Sequence, residues 1–199
     1  EIGNECKCAE SYFPSLNKTI AAIVGRVRRT APHVGLLRFA SMAGVIMERD
    51  CTPQENAALA ALAREMFELM YKTGGVGLAA PQVGVNVKLL VFNEEGKAEA
   101  RDREIVLCNP RVVNKAKERV SGEEGCLSFP AIYAPVLRHQ AITIEAEDLE
   151  GKTFQMDFED WEARIFQHEF DHLDGILFID RFSPSDKTWK IFNNVSGIR

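Results

Sequence analysis

Features that mark several other protein classes are missing from this sequence of 199 residues. It has no apolar run near the ~20 residues that a membrane-spanning helix needs. Its net charge is −5, so it lacks the excess of Lys and Arg that binds nucleic acid through bulk charge. With 46% hydrophobic and 27% charged residues, its composition is that of an ordinary globular protein. We therefore predict a folded protein without a membrane span and without direct, sequence-specific contact with nucleic acid.

Cysteine is also scarce, and the few cysteines are scattered along the chain. There are 5 of them, at Cys6, Cys8, Cys51, Cys108 and Cys126. An odd, dispersed set in a chain of this size fits a reducing compartment better than a disulfide framework. We therefore expect the core to be held by packing and not by disulfide bonds.

Acidic residues are absent from residues 11–47, although this stretch contains several basic ones. A basic, acid-free segment resembles an organellar transit peptide or its remnant. A family-specific extension is an equal alternative. We predict an N-terminal arm over 1–30 and one domain over 31–199. For location we predict a eukaryotic organelle, mitochondrion or plastid, with the bacterial cytoplasm as the alternative.

The hydrophobic pattern predicts an α+β fold. A capping box at 52–55, with Pro53 at the first helical position, predicts a helix that Gly74 and Gly75 stop. Apolar residues alternate over 85–91 and predict a half-buried strand. Further elements are expected as strands at 105–109, 119–121, 141–147 and 153–158, a turn at 149–152 and a helix at about 161–173. Strands between two unrelated helices, without βαβ alternation, predict mainly antiparallel sheets around the second helix.

That second helix contains an H-E-x-x-H motif formed by His168, Glu169 and His172. Side chains four residues apart lie one helical turn above each other, so both imidazoles can bind one metal ion. Glu169 lies on a neighbouring face, where it can contact a reacting water without binding the metal. Apolar neighbours such as Ile165 and Phe170 indicate a largely buried helix, which disfavours two ordinary surface histidines.

A catalytic metal needs a third protein ligand. No histidine follows His172, and the carboxylates downstream are Asp174, Asp180 and Asp186. Upstream, Cys126 in the segment E-G-C-L-S offers a thiolate after a predicted strand. One thiolate with two imidazoles suits Fe(II), Zn(II), Co(II) or Ni(II), and not Mg or Ca. From the residues alone, Cys126 is either this third ligand or a small buried apolar side chain.

A third segment, GVGLAAPQ at 75–82, leaves its backbone open to close approach and ends in the amide of Gln82. It is not a phosphate-binding loop, because the Lys-Ser/Thr pair is missing. Together with EGCLS at 124–128 and HEFDH at 168–172, it resembles the three signature motifs of the peptide deformylase family. The resemblance covers about residues 52–182. Of the family's usual opening segment, only Leu37 and Arg38 remain.

This resemblance implies a metal-dependent hydrolase that removes the formyl group from the N-terminal formyl-methionine of nascent polypeptides. It implies one divalent ion, Fe(II) first with Zn(II), Ni(II) or Co(II) as substitutes, held by Cys126, His168 and His172. Glu169 would be the general base, with the Gln82 amide and the Leu127 N–H donating to the carbonyl oxygen. Transient contact with ribosomes is implied as well.

The resemblance also implies a set of substrate contacts. Glycines allow an extended peptide to approach the backbone, and apolar side chains form a pocket for methionine. The expected residues are Gly75, Val76, Gly77, Gly125, Trp161 and Ile165. Trp161 and Ile165 serve equally well as ordinary core residues. Glu124 and Arg138 are expected behind the metal ligands, orienting the loop that carries Cys126.

Two other functions remain open from the sequence. A zinc peptidase of the H-E-x-x-H class would explain the helix, but it leaves Cys126 unused and lacks a downstream third ligand. A metal-bound scaffold without activity would also fit the ligands. We would expect such a scaffold to have lost Glu169 or Gln82, and both are present.

Overall fold

A computed structural model of the chain describes residues 53–85 and 87–181. The predicted arm over 1–30, and the boundary between arm and domain, lie outside these residues. The helices and strands of the described part are α1 (Pro53–Lys72), β1 (Gly77–Ala79), β2 (Leu89–Phe92), β3 (Ile105–Lys115), β4 (Arg119–Cys126), β5 (Phe129–His139), β6 (Ala141–Glu147), β7 (Thr153–Glu159) and α2 (Asp160–Leu173). Short 3₁₀ turns occur at Ala80–Val83, Arg101–Arg103 and Phe178–Arg181.

These strands form two sheets. A five-stranded sheet has the order β1-β2-β3-β6-β7, and β4 pairs with β5 in a separate two-stranded sheet. Every neighbouring pair is antiparallel. The predicted α+β fold with mainly antiparallel sheets is therefore confirmed.

Several elements lie where their local signals predict them. Helix α1 extends from Pro53, the first described residue, to Lys72, shortly before Gly74, whose φ of 71° is left-handed. Residue 52 of the predicted capping box lies outside the described residues. Strands β6 and β7 are joined by a tight turn in which Gly151 has a φ of 83°. Helix α2 ends two residues before Gly175, whose φ is also 71°. Glycine adopts these angles without steric cost, which is why it marks the ends of elements here.

The strand expected at 85–91 is wrong at its start and in its burial. Gly84 adopts a left-handed φ of 79°, and the Val85 N–H turns back to donate to Ala80 O at 3.1 Å. The Val87 N–H donates to Val85 O at 3.1 Å, so the chain is still turning there. Pairing with a neighbour begins only at Leu89–Phe92.

Strand β2 is buried on both faces, whereas alternation predicts burial on one face. Leu89 and Val91 pack with α1, and Leu90 and Phe92 pack with α2. All four are at most 1% exposed. The two helices therefore cover opposite faces of this part of the sheet.

Two strands are absent from the sequence prediction, and two are longer than predicted. The unpredicted strands are β1 and β5. The strand expected at 105–109 continues to Lys115, and the one expected at 119–121 continues to Cys126. The extension of β4 matters for the site, because it places Cys126 on the strand itself and not after it.

Helix α2 is central to the described fold, since it contacts β1, β2, β6 and β7 of the larger sheet and β5 of the smaller one. It thus carries the HEFDH segment between two sheets. Neither described helix is long and apolar enough to cross a lipid bilayer.

Candidate metal centre and active site

Three side chains that commonly bind metals converge where β4 meets α2. Cys126 ends β4, and His168 and His172 lie one turn apart on α2. One potential ligand atom from each lies within 4.8 Å of the other two. The Cys126 Sγ and His172 Nε2 are 3.3 Å apart. In a tetrahedral site with ordinary metal–sulfur and metal–nitrogen bonds, two such ligand atoms are roughly 3.5 Å apart.

The chemistry of this donor set fits a transition metal ion. Burial lowers the pKa of His172 to about 3, so its imidazole is neutral, the form that binds metals. Burial also lowers the pKa of His168, but hydrogen bonds with Cys126 and Glu124 outweigh burial and raise it. Surroundings that favour a proton on His168 also favour a metal cation in its place. The described residues therefore suit a divalent ion with mixed sulfur and nitrogen ligands.

Glu124 determines which nitrogen of His168 faces the cluster. Its Oε2 lies 3.0 Å from His168 Nδ1. Burial opposes ionisation of Glu124, but hydrogen bonds from His168 and Arg138 outweigh burial and lower the pKa of its carboxyl to about 2. The carboxylate therefore accepts the Nδ1 proton, and the Nε2 lone pair is left for a metal.

Glu124 belongs to a buried charged network that we call the polar seam: Glu124, Arg138, Arg164 and Asp171. Arg138 Nε and Nη2 donate to the two oxygens of Glu124, both at 2.9 Å. Arg164 Nη1 donates to Glu124 Oε1 at 2.8 Å. Arg138 Nη1 donates to Asp171 Oδ2 at 2.5 Å. The polar seam therefore joins the two-stranded sheet to α2 by paired charges.

Glu169 lies against the glycine-rich segment. A β-carbon on Gly77 would be 2.6 Å from Glu169 Oε1, so only glycine leaves room for the carboxylate there. Burial raises the pKa of the Glu169 carboxyl to about 7, against the opposing effect of nearby His168. Its Oε2 is buried with no hydrogen-bond partner among the described residues. A buried carboxyl with a pKa near neutrality can both accept and return a proton.

Gln82 is oriented by the backbone of its own turn. The Ala79 N–H donates to Gln82 Oε1 at 2.7 Å, which turns the amide nitrogen toward the Cys126 segment. That Nε2 lies 3.3 Å from Ser128 Oγ and 3.9 Å from Cys126 Sγ. Leu127 occupies the turn that joins β4 to β5. The glycine-rich and EGCLS segments therefore meet beside the cluster of Cys126, His168 and His172.

A cavity of about 630 Å³ opens beside these residues. All six residues expected to contact substrate line it: Gly75, Val76, Gly77, Gly125, Trp161 and Ile165. Gln82, Glu124, Cys126, Leu127, His168 and Glu169 line it as well. Ile165 is buried, whereas Trp161 is 46% exposed and lies at the edge of the cavity. Arg138 and His172 do not line the cavity: Arg138 lies behind the ligands, in the polar seam.

Sequence reasoning missed several residues of the site. Four residues of the site are not among the predicted ones: Arg164 and Asp171 of the polar seam, Ser128, which is hydrogen-bonded to Gln82, and Tyr133, which lines the cavity. Spacing offered one signal. Arg164 lies four residues before His168 on α2 and therefore shares its face.

Three side chains that could hold a metal ion, beside a buried carboxyl in an open cavity, are the arrangement found in metal-dependent hydrolases. Comparison with known proteins narrows this class. The model of the family described as polypeptide deformylase matches residues 38–188. The chain therefore belongs to the peptide deformylase family, whose members are metal-dependent hydrolases of protein biosynthesis.

Named relatives come from plants and bacteria. The chain is 54% identical to the chloroplastic peptide deformylase 1B of Oryza sativa subsp. japonica, over 63% of this chain and 46% of that protein. It is 48% identical to the peptide deformylase of Acidobacterium capsulatum, over 64% of this chain and 74% of that protein. The alignments span about half the length of the plant relatives.

Solved structures agree with this assignment. The structure of Arabidopsis thaliana peptide deformylase 1B in complex with an inhibitor matches with a TM-score of 0.68 and 38% identity, covering 81% of this chain and 91% of that one. The peptide deformylase of Plasmodium falciparum matches with a TM-score of 0.69 and 32% identity, covering 80% and 87%. The described fold is therefore the peptide deformylase fold.

Proposed function

We propose that this protein hydrolyses the formyl group from the N-terminal formyl-methionine of nascent polypeptides and releases formate. The observation that carries the proposal is the meeting of all three signature segments around one cavity. Cys126, His168 and His172 cluster within 4.8 Å. Glu169 and Gln82 line the same cavity. Membership of the family supports the reaction class.

Cys126, His168 and His172 would hold one divalent ion. The mixed thiolate and imidazole set suits Fe(II), Zn(II), Ni(II) and Co(II). We propose Fe(II) as the resident ion because of the family resemblance, with the other three as substitutes. When bound, the ion would polarise the formyl carbonyl and lower the pKa of a water molecule.

Glu169 would move the protons of the reaction. Its carboxylate accepts a proton from the water that attacks the formyl carbon, and later donates it to the leaving amine nitrogen. Its contact with Gly77 holds the carboxylate at the cavity wall. Its raised pKa, about 7, suits both directions of transfer.

Gln82 and Leu127 would stabilise charge on the formyl oxygen. The Gln82 Oε1 already accepts the Ala79 N–H at 2.7 Å, which leaves Nε2 as the donor toward the cavity. The backbone N–H of Leu127 would be the second donor. Donors fixed before the reaction begins are most effective where charge develops.

The cavity would bind an extended N-terminal peptide. Backbone groups are exposed along the cavity wall at Gly75, Gly77 and Gly125. An extended peptide needs backbone groups of this kind as hydrogen-bond partners. We propose that Val76, Trp161 and Ile165 surround the methionine side chain. Ile165 is 3% exposed and lies one turn from His168, which places apolar surface next to the cluster.

For location we propose a eukaryotic organelle. The acid-free basic stretch over 11–47 and the chloroplastic relatives support this proposal, while bacterial relatives leave the bacterial cytoplasm as the alternative. Fusing residues 1–50 to a reporter in a eukaryotic host should give organelle import, and a diffuse cytosolic signal would contradict this proposal. We also propose transient contact with ribosomes, which co-sedimentation with ribosomes carrying nascent chains would test.

One assay tests the proposed reaction. The metal-loaded protein should release formate from formyl-Met-Ala-Ser and leave an internally quenched, unformylated peptide intact. A chelator should abolish the formate signal, and Fe(II) or Co(II) should restore it. Cleavage of the quenched peptide would instead indicate an endopeptidase, and the absence of both activities would indicate a scaffold.

A further inference from the structure

We propose that Arg164 is a positioning residue that sets the distance between the strand carrying Cys126 and the helix carrying the two histidines. It does so by joining β4 and β5 to α2 through the carboxylate of Glu124. This inference rests on the proposed function for its catalytic consequence. Its consequence for metal binding stands on the geometry alone.

The guanidinium of Arg164 crosses from α2 to both strands of the smaller sheet. Its Nη2 donates to Val120 O on β4 at 2.7 Å. Its Nη1 donates to Val136 O on β5 at 2.9 Å and to Glu124 Oε1 at 2.8 Å. The side chain is 10% exposed, so these bonds are shielded from water. A planar guanidinium can hold several acceptors in fixed directions, which an ammonium group cannot do.

The position of Arg164 along the chain makes these bonds relevant to the metal. It lies one turn before His168 on α2, and Glu124 lies two residues before Cys126 on β4. The bond between Arg164 and Glu124 therefore fixes the strand against the helix immediately beside the ligands. The other oxygen of the same Glu124 carboxylate contacts His168 Nδ1 at 3.0 Å.

Arg138 alone does not replace this connection. Arg138 also binds Glu124, but it lies on β5, and its Nη1 donates to Asp171 on α2, one residue before His172. With Arg164 in place, Glu124 Oε1 accepts one bond from each arginine. The carboxylate is thus held from two sides. After loss of Arg164, Arg138 would still hold both oxygens of Glu124, but the direct bonds from α2 to Val120, Glu124 and Val136 would be lost.

A second observation comes from Gly122. A β-carbon there would lie 2.8 Å from Arg164 Cζ and 2.9 Å from its Nε and Nη2. The guanidinium therefore rests directly on the backbone of β4, and only glycine permits this. Gly122 gives a way to move the guanidinium without removing its charge.

The test uses the full chain and three variants: Arg164→Met, Arg164→Lys and Gly122→Ala. Arg111→Met is the matched control, because it removes an arginine that binds a glutamate, Glu145, on the exposed face of the larger sheet. Folding of each variant is checked by urea denaturation. Binding of Co²⁺ is then titrated through its thiolate charge-transfer absorption, and the tautomer of His168 in metal-free protein is read by ¹⁵N NMR.

We expect Arg164→Met and Gly122→Ala to weaken Co²⁺ binding by about 10–100-fold, as loss of groups behind metal ligands commonly does. The absorption band should shift, and the Nδ1–H tautomer of His168 should lose population. The Co²⁺ affinity of Arg164→Lys should lie between those of Arg164→Met and the unaltered protein. The Co²⁺ affinity of Arg111→Met should equal that of the unaltered protein. In the formate assay kcat should fall more than KM rises.

Unaltered Co²⁺ affinity, band position and His168 tautomer in folded Arg164→Met would overturn the proposal. If that variant does not fold, Gly122→Ala and Arg164→Lys decide by the same readouts. Because these readouts need no substrate, they judge Arg164 even if the unaltered protein releases no formate. That last result would contradict the proposed function and leave this inference to be decided by the metal titration.

Discussion

The two sides of helix α2 differ in what they contact. On one side Phe166 packs against Phe158 of β7 with ring centroids 5.8 Å apart, and Phe158 meets Phe92 of β2 at 5.3 Å. On the other side Arg164 and Asp171 enter the polar seam against the two-stranded sheet. The first side removes apolar surface from water, which stabilises the fold. The second places charges around the candidate metal centre.

The two sides of α2 therefore have different roles, one mainly in stability and the other around the candidate metal centre. Buried ion pairs contribute little net stability, because desolvation offsets their attraction. Apolar packing contributes about 25 cal/mol for each Å² removed from water. Changes on the apolar side should therefore affect unfolding and leave metal affinity unchanged. Removing one partner from the polar seam should affect metal binding and turnover, and should also destabilise the fold, because it leaves a buried charge unpaired.

The largest expected effect comes from removing the thiolate ligand. Cys126→Ala should abolish tight metal binding and formate release, because two histidines alone make a poor site. The ratio of metal to purified protein measures this directly. Cys108→Ala, which alters a buried cysteine of the α1 core, should keep its metal. Full metal occupancy in Cys126→Ala would remove Cys126 from the ligand set.

Glu169→Ala separates the base from the ligands. It should keep both the metal and the fold, and should lower kcat by about 10²–10⁴-fold, the usual contribution of a general base. Glu162→Ala on the same helix is the control and should retain activity. Near-normal kcat in Glu169→Ala would mean that the proton leaves by another route.

Phe158→Ala affects the opposite side of α2. Phe158 is 2% exposed and contacts two further aromatic rings. Its truncation should lower the free energy of unfolding by about 3–5 kcal/mol, as measured in urea. Metal affinity of the folded fraction should stay unchanged. A loss of metal affinity equal to that of a polar-seam variant would break the proposed separation.

Arg111→Ala should have the smallest effect. Arg111 pairs with Glu145 on the exposed face of the larger sheet, and its side chain is 69% exposed. Solvent-exposed ion pairs contribute little to the stability of a protein. Thermal unfolding and formate release should both match those of the unaltered protein, and a clear drop in Tm would show that this outer face contributes more than its exposure suggests.

The fold was predictable where burial follows a simple period. The apolar spacing of α1 and the turn before β7 gave these elements close to their observed bounds. Strand β5 has apolar residues on both faces: Ala134 and Val136 are buried, Tyr133 and Leu137 are exposed, and Arg138 lies on the buried face. A rule that places apolar residues inside misses such a strand. Burial on both faces of β2 likewise depends on two helices that no local signal reveals.

The site was predictable where its residues are fixed by short motifs. The motif residues do come together, around one cavity and one Cys/His cluster. Arg164 could not be recognised in the same way, because an arginine on a helix ordinarily faces water. Its burial follows from pairing with Glu124, 40 residues earlier in the chain. Contacts of this kind come from tertiary structure, and the four-residue spacing between Arg164 and His168 does not by itself reveal them.

The choice of formyl over acetyl tests the central claim most directly. The oxygen of the reacting carbonyl must lie near the Gln82 amide and the Leu127 N–H. We therefore expect the remaining substituent on the carbonyl carbon, hydrogen in formyl or methyl in acetyl, to point toward the cavity wall near Leu127. The cavity wall is tight at Leu127, whose Cδ1 lies 2.8 Å from where a β-carbon on Gly75 would be. Hydrogen fits there, whereas a methyl group would displace the carbonyl.

Displacement of the carbonyl by about 1 Å costs on the order of 100-fold in rate. The measurement is kcat/KM of the metal-loaded protein for formyl-Met-Ala-Ser and for acetyl-Met-Ala-Ser. We predict that the formyl peptide is hydrolysed on the order of 100-fold faster or more. Comparable values for the two peptides would contradict both the steric account of the site and the proposed deformylase activity.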